Sequence, residues 1–365
     1  MGLSSGPLTK TMYKELWLAC AGPQVSIPCV GERVYYFPEG HMEQIKAYMH
    51  NGSQQQLPSF YLPPKILCKV VNVQLLVEPD TDEIYADITL LPDHDQGEVI
   101  IPDPPLLESS TCMVRTICKT LTTLDTSTIG GLSLPLRDAV DCLLTLDMSQ
   151  QPSWQEVVAS DLQNNEWHFC HMLQEHPKRH FLTTGWSDFV NAKKLVAGDA
   201  FLFLRGGNGE ICVGVRRRKN HTSSATSNET HLSILATTSH AITSGTRFLV
   251  TYRPRASPSP FIISLNKYLK AQSYRFSVGM KFQLKFDGVD SLEQRFRGTI
   301  VGVGETASSK WPDSEWRSLK VRWDQGMLVS CPNRVSAWEI DPPKRSWWSC
   351  CCFGISIVKK LFCLD

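Results

Sequence analysis

The chain has 365 residues, of which 42% are hydrophobic and 20% are charged. This composition is ordinary for a globular protein and excludes a wholly disordered or fibrous chain. The length allows two or three domains, each with a sizeable core.

The formal net charge of +1 conceals an uneven distribution of charge along the chain. Residues 1–116 carry 7 basic and 14 acidic side chains, residues 117–220 carry 11 of each, and residues 221–365 carry 19 and 11. An acidic, a neutral and a basic segment indicate a chain that is built from several parts.

Cysteine usage and hydropathy exclude several kinds of site. Nine of the 13 cysteines are scattered singly without a C-x-x-C pair, which indicates reduced thiols rather than structural zinc. The other four lie in residues 344–365, which we interpret as a cysteine-rich tail outside any domain. No stretch reaches the roughly 18 apolar residues of a membrane helix. We therefore expect no membrane association, metal or cofactor, and no grouping of residues suggests an enzyme.

The first third of the chain alternates short helices and strands. Residues 11–21 place Tyr13, Leu16, Trp17 and Cys20 at helical spacing, which predicts an amphipathic helix. A second short helix is predicted from residue 39 onward. Runs of β-branched and aromatic residues predict strands over 32–38, 66–77 and 83–91. Three closely spaced prolines then predict a linker over 92–112.

A dense β-rich block follows over residues 117–219. Residues 157–173 read as a hairpin with Asn164 and Asn165 at its turn, and residues 200–218 read as a second hairpin. A short helix is predicted between them, over 185–195.

The last third begins with a polar, Ser- and Thr-rich linker over 220–230. A helix is predicted over 232–242. The apolar patterns that come next predict strands within 246–254, 280–288, 295–305 and 318–325.

Two long motifs carry a family resemblance: CKTLTTLDTSTIGGLSLPLRDAV and HPKRHFLTTGWSDFVNAKKLVAGDAFLFLRG. They closely resemble the plant B3 DNA-binding domain, in the version found in auxin response factors, over residues 117–219. The flanking motifs ELWLACAGP, VYYFPEGHMEQ, SHAITSGTRFLVTYRPRAS and DSEWRSLKVRWD resemble the dimerisation and ancillary regions of that family. The resemblance therefore runs from Tyr13 to Pro343.

The resemblance implies a mainly β protein with short helices, of the α+β class. The B3 domain would be a seven-stranded open pseudobarrel inserted in a dimerisation domain, with a small β-barrel-like ancillary domain after it. The two halves of the implied dimerisation domain are residues 1–116 and 220–275, and the B3 domain lies between them at 117–219. The ancillary domain would span 276–343, and the tail 344–365. The acidic first half would fold against the basic second half.

The resemblance also implies which residues meet DNA. The loops over 119–131 and 174–187 would enter the major groove, where donors and acceptors read base edges and phosphate contacts fix the register. The matching contact positions are Lys119, Gly130, Gln174, Pro177, Arg179, Thr184 and Ser187. Gly245 matches a glycine of the family's dimer interface.

Three positions depart from the family pattern. Leu124, Ile129 and Gln174 stand where the family has Ser, His and Arg, so each change removes a donor or a charge. The basic run Arg216-Arg217-Arg218-Lys219 is open to two interpretations: a phosphate-neutralising or nuclear-import segment, or a solvated strand end.

The implied function is that of a nuclear transcription factor of the auxin response. It would bind TGTCTC-type elements in double-stranded DNA as a homodimer, or as a heterodimer with other auxin response factors. The alternative is a partner with impaired DNA binding, which dimerises with fuller family members as a decoy. Interaction with Aux/IAA repressors is not expected, because these 365 residues contain no match to the family's C-terminal oligomerisation domain.

Overall fold

The structure is a computed structural model. It describes residues 8–48, 62–97, 99–104, 113–127, 131–134, 136–143, 146, 153–176, 178–218, 228–256, 259–287, 293–304, 311, 313–324 and 331–342. The described part is mainly strand with short helices, and its strands form three sheets. The predicted tail over 344–365 lies outside the described residues.

The first sheet joins strands from both ends of the chain. Its order is β11-β3-β2-β1-β12, and every neighbouring pair is antiparallel. The strands are β1 (Arg33–Tyr36), β2 (Ile66–Val77), β3 (Ile84–Pro92), β11 (Phe248–Tyr252) and β12 (Ile262–Ser264). The helices associated with it are α1 (Lys10–Ala21), α2 (Pro38–Tyr48), α5 (Asn228–Ser244) and α6 (Leu265–Ser273).

Residue patterns in this sheet explain its packing. In β3 the even-numbered residues from Ile84 to Pro92 are buried and the odd-numbered ones are half-buried, which is the period of two of a strand with one face on a core. Helix α1 buries Leu16 and Trp17 at helical spacing, and the Trp17 indole donates to the Leu76 carbonyl at 2.9 Å. The helix is thereby fixed against the end of β2.

The second sheet is formed by residues that lie between β3 and β11 in the chain. Its order is β4-β9-β10-β6-β7-β8-β5. The strands are β4 (Val114–Thr120), β5 (Leu132–Leu134), β6 (Trp154–Ser160), β7 (Glu166–Glu175), β8 (Lys178–Leu182), β9 (Ala200–Gly206) and β10 (Ile211–Arg216). Helices α3 (Leu136–Cys142) and α4 (Trp186–Ala192) belong to the same unit. This seven-stranded, nearly closed pseudobarrel confirms the predicted fold class.

The core of the seven-stranded unit is aromatic. Trp186, Phe189, Phe201 and Phe203 are fully buried, and Phe169 is 1% exposed. Their rings meet mostly edge to face, an arrangement that adds favourable quadrupole interaction to the burial of apolar area.

The third sheet is four-stranded, in the order β13-β14-β15-β16, and entirely antiparallel. Its strands are β13 (Lys281–Asp287), β14 (Glu293–Val303), β15 (Leu319–Trp323) and β16 (Arg334–Val335). One face buries a small core formed by Phe282, Leu284, Ile300, Leu319, Val321, Val335 and Ile340.

Ion pairs between the first and second halves of the chain agree only in part with the predicted contact of an acidic with a basic half. Glu43 pairs with Arg317 and Glu83 with Arg253, as the charge distribution suggests. A third pair runs the other way, since Lys65 of the first half binds Glu315 of the second at 2.5 Å. In the described part of the chain, no helix is long and apolar enough to span a membrane.

Candidate nucleic-acid interface

The loop after β4 is built around one buried carboxylate. Asp125 is 6% exposed, and its Oδ2 accepts from the Thr122 backbone N–H and hydroxyl, both at 2.8 Å. Its Oδ1 accepts from Lys119 Nζ at 2.6 Å, and the same ammonium donates to the Ser133 carbonyl at 2.5 Å. A carboxylate with three such partners holds the loop in one conformation.

Lys119 was predicted to contact DNA, and the structure places it inside this loop instead of on its outer surface. Its side chain is 18% exposed. Two of its three N–H donors are occupied by Asp125 and Ser133. The geometry therefore gives Lys119 a supporting role in the loop, with one donor left over.

The second predicted loop contains a hairpin tip. Strands β7 and β8 pair Gln174 with Arg179 and Glu175 with Lys178. The side chains of Gln174, Lys178 and Arg179 are exposed, and Gln174 Nε2 donates to the His176 carbonyl at 3.3 Å. The tip thus presents two cations and an amide side by side. Pro177 lies outside the described residues.

The chain then turns sharply from β8 into α4. Thr184 is exposed and Ser187 is half-buried. Between them, Gly185 has φ +84°, and a Cβ there would lie 1.8 Å from the His168 carbonyl oxygen. Only glycine fits this close approach, so the positions of Thr184 and Ser187 depend on Gly185.

Two contacts join the two loops into one surface. The buried Trp186 indole N–H donates to the Asp125 carbonyl at 2.8 Å. Strand β5, which follows the first loop, pairs with β8 through Leu132 opposite Leu182. A Cβ on Gly131 would lie 2.4 Å from the Leu182 carbonyl oxygen, so the first loop also ends in a close approach. The sequence did not predict that Asp125 organises the first loop and links it to Trp186. Its place in the DTST motif was the one signal for it.

The three departures from the family pattern have different surroundings. Leu124 is 83% exposed at the outer edge of the first loop, where an apolar side chain contributes no donor. Gln174 is exposed opposite Arg179. Ile129 and the predicted contact residue Gly130 lie outside the described residues.

Two histidines of the β7–β8 hairpin, His171 and His180, form a buried pair. His171 Nε2 and His180 Nδ1 are 2.8 Å apart, and Gln155 Nε2 lies 3.0 Å from the other His171 nitrogen. Burial lowers the pKa of His171 to about 4 and also lowers the pKa of His180. The pair is therefore neutral near pH 7 and adds no charge to the surface. Among the described residues, no group of three or more His, Cys, Asp or Glu side chains is arranged to hold a metal.

Two arginines of the basic run, Arg216 and Arg217, contact the rest of the protein. Arg216 donates twice to the Ala19 carbonyl at the end of α1, at 2.6 and 3.1 Å. Arg217 binds the buried Asp199 within the seven-stranded unit at 3.1 Å and donates to the Thr81 carbonyl, in the turn between β2 and β3, also at 3.1 Å. These two arginines hold the seven-stranded unit against the first sheet and its helices, so they do not form a solvated strand end.

The seven-stranded pseudobarrel that carries the two joined polar loops is a B3 DNA-binding domain. A model of the B3 DNA binding domain matches residues 117–219, and a model of the auxin response factor ancillary domain matches residues 261–344. Auxin response factor 1 of Arabidopsis thaliana is 58% identical over 346 residues, and auxin response factor 7 of Oryza sativa subsp. japonica is 54% identical over 343. The chain belongs to the auxin response factor family.

These similarities cover most of this chain but only part of the relatives. Each covers 93% of this chain, together with 52% of the Arabidopsis protein and 51% of the rice protein. The chain thus spans about half the length of these relatives. Among solved structures, the Arabidopsis FUS3-DNA complex is 22% identical with a TM-score of 0.25, over 28% of this chain and 96% of that chain.

Proposed function

We propose that this protein is a nuclear transcription factor of the auxin response that binds TGTCTC-type elements in double-stranded DNA as a dimer. The observation that carries the proposal is the joining of two polar loops through the Trp186–Asp125 hydrogen bond. A surface that is fixed before binding loses little conformational freedom on contact with a base pair. Arg179, Gln174, Thr184 and Ser187 supply the donors and acceptors on it.

The first sheet offers a surface for the dimer. Among the described strands, β11 lies at the edge of its sheet and pairs with β3 alone, and its Leu249 is 52% exposed. Gly245 stands between α5 and β11 with φ +64°, and the nearest atom to a Cβ there would be 3.8 Å away, on His94. An exposed edge next to an open glycine position suits close approach by a second copy or by another auxin response factor.

We propose the domain boundaries of the family for this chain. Residues 1–116 and 220–275 would form the dimerisation domain around the B3 domain at 117–219, with the ancillary domain at 276–343. In support, β11 and β12 extend the sheet that β1, β2 and β3 begin.

A salt-titrated binding assay tests the proposed function. The protein is added to an inverted TGTCTC repeat and to a scrambled duplex of equal length, from 50 to 200 mM salt. We expect tighter binding to the repeat at every salt concentration, since base contacts survive where phosphate contacts weaken. Equal affinity for the two duplexes would overturn the proposal and support the decoy alternative.

Gln174→Arg should strengthen binding to the repeat by about 10–100-fold, because a bidentate base contact is worth about 1–3 kcal/mol. The new guanidinium would stand directly across the hairpin from Arg179. The measurement is the ratio of affinities for the repeat and the scrambled duplex. His176→Arg is the matched control, because it adds the same charge at the exposed tip without occupying the predicted contact position. If both variants raise both affinities equally, Gln174 does not face a base.

A further inference from the structure

Three large apolar side chains lie next to each other on the outer face of the seven-stranded sheet. Trp154 of β6 stands opposite Met172 of β7, and Met172 stands opposite Phe181 of β8. Trp154 is 52% exposed, and Met172 and Phe181 are half-buried. Directly opposed residues bring their Cβ atoms within about 5 Å of each other. The three side chains therefore form a continuous strip, which we call the apolar row.

The alternation along each strand shows that the apolar row points away from the core. His171, next to Met172 in the chain, is fully buried and points the other way, because successive side chains of a strand alternate between its two faces. The half-buried apolar side chains that pack against the core of this unit are Trp167 and Ile211. Met172 and Phe181 therefore lie outside that core.

The apolar row lies among the polar residues of the candidate interface. Phe181 follows Arg179 by two residues on β8 and shares its face, and Met172 precedes Gln174 in the same way on β7. Thr184 stands just beyond the other end of β8. From Arg179 to Thr184 the chain spans at most about 17 Å, close to five base-pair steps of about 3.4 Å. A duplex that contacts both residues therefore passes over Phe181.

The charges on this face determine which part of the apolar row a duplex covers. Among the described residues of β6, β7 and β8, the charged side chains on the face are Arg179 at the hairpin tip and Glu156, Glu166 and His168 on the far side of the row. His168 binds both carboxylates, each at 2.9 Å. Phosphates are attracted to the cation at the tip, whereas Glu156 lies beside the β6 end of the row. The duplex would therefore lie over the part of the row on β7 and β8.

We propose that Phe181, with Met172 beside it, contacts the C5-methyl group of a thymine in the major groove and so contributes to sequence specificity. This inference rests on the proposed function, which brings a TGTCTC element to this surface. In the major groove the methyl group is the apolar feature of a thymine, and an apolar side chain in contact with it distinguishes thymine from the other bases. The TGTCTC element has its thymines on one strand, so the contact can be assigned to a single position.

The test removes thymine methyl groups from the DNA one position at a time. The wild-type protein is titrated with the inverted repeat and with repeats in which the first, third or fifth base of each TGTCTC element is deoxyuridine. Deoxyuridine keeps the base-pairing atoms of thymidine and lacks only the methyl group. We expect one of these repeats to bind more weakly, by about 4-fold for each substituted element, because burial of one methyl group is worth about that factor. Deoxyuridine at a flanking position outside the elements is the control duplex and should leave the affinity unchanged.

Phe181→Gln removes the apolar contact from the protein side. We expect this variant to bind the thymine and deoxyuridine repeats equally, and to match the wild-type protein on the deoxyuridine repeat. Met172→Gln should reduce the discrimination in part. Val301→Gln is the matched control, because Val301 is an apolar residue of β14 in the third sheet and is 36% exposed. It should keep the full discrimination.

The outcomes separate this inference from the proposed function. A wild-type protein that binds the repeat no better than the scrambled duplex overturns the proposed function and this inference with it. Preference for the repeat, with equal affinity for thymine and deoxyuridine at all three positions, overturns the methyl contact alone. Discrimination that persists in full in Phe181→Gln overturns Phe181 as its source. If Phe181→Gln does not fold, the wild-type protein and Met172→Gln on the same duplexes still decide the question.

Discussion

Trp186→Ala should lower the free energy of unfolding by about 3–5 kcal/mol and abolish preference for the inverted repeat. The Trp186 side chain is fully buried, with the Phe201 ring centroid 5.0 Å and the Phe189 centroid 5.8 Å away. Truncation leaves a cavity in the aromatic core and removes the hydrogen bond to Asp125. Urea unfolding followed by circular dichroism, together with DNA titration, measures the two effects.

Two further variants distinguish packing from the joining of the loops. Trp186→Phe keeps an aromatic ring in the core but removes the N–H donor together with part of the indole, so we expect a loss of about 1–3 kcal/mol in stability, smaller than in Trp186→Ala, and weaker sequence preference. Trp154→Ala is the matched control, because Trp154 is 52% exposed on β6 and its removal should change stability little. Unchanged preference for the repeat in Trp186→Phe would show that the Asp125 bond does not position the loops.

Strongly periodic segments were predictable from the sequence alone. The strand predicted over 66–77 is β2, and the helix predicted over 11–21 is α1 with one extra residue. The hairpin predicted over 157–173 is β6 and β7, with Asn164 at φ +62° in its turn. In each case the local pattern and the tertiary packing favour the same structure.

Several short helices and strands were not predicted, because they contain too few residues to show a repeating hydrophobic pattern. Strands β5 and β12 have three residues each and helix α3 has seven, and none was predicted individually. Such segments take their conformation from neighbours that lie far away in the sequence. Strand β12, for example, pairs with β1 some 230 residues earlier, as in Ile263 opposite Tyr35.

In the candidate site, too, the features that depend on local sequence were predictable and those that depend on distant residues were not. The family resemblance placed Gln174 and Arg179 in one loop, whereas the structure shows that they face each other at the tip of the β7–β8 hairpin. The hydrogen bond between Trp186 and Asp125 joins residues 61 positions apart, and no local pattern reveals it. Lys119 has the side chain of a DNA-binding residue, but Asp125 and Ser133 occupy two of its donors.

Lys193→Ala should destabilise the protein by about 3–5 kcal/mol at pH 7, because it leaves the buried Asp161 without its cation and leaves Asp82 with only the Arg217 cation, 3.6 Å away. Lys193 is 7% exposed, and its Nζ lies 2.7 Å from both Asp82 and Asp161. Asp82 belongs to the turn between β2 and β3, whereas Lys193 and Asp161 belong to the seven-stranded unit. The buried ammonium therefore joins the two parts of the fold, alongside the contacts of Arg216 and Arg217, and urea unfolding measures its contribution.

The pH dependence of this loss identifies its cause. Burial by itself raises the pKa of Asp161, but hydrogen bonds from Lys193 and Trp167 outweigh it, so the pKa lies below the usual 3.8. A carboxylate with a lowered pKa stabilises the fold above its unfolded pKa, and this stabilisation is lost as the pH falls through the folded value. The difference between Lys193→Ala and the wild-type protein should therefore be large at pH 7 and shrink towards pH 3, where protonation of Asp161 removes the buried charge that the variant leaves without Lys193. Lys194→Ala, one residue further on at an exposed position, should show neither effect. A difference that is equal at both pH values would mean that lost packing of the lysine stem against Trp167, and not the charge, accounts for the destabilisation.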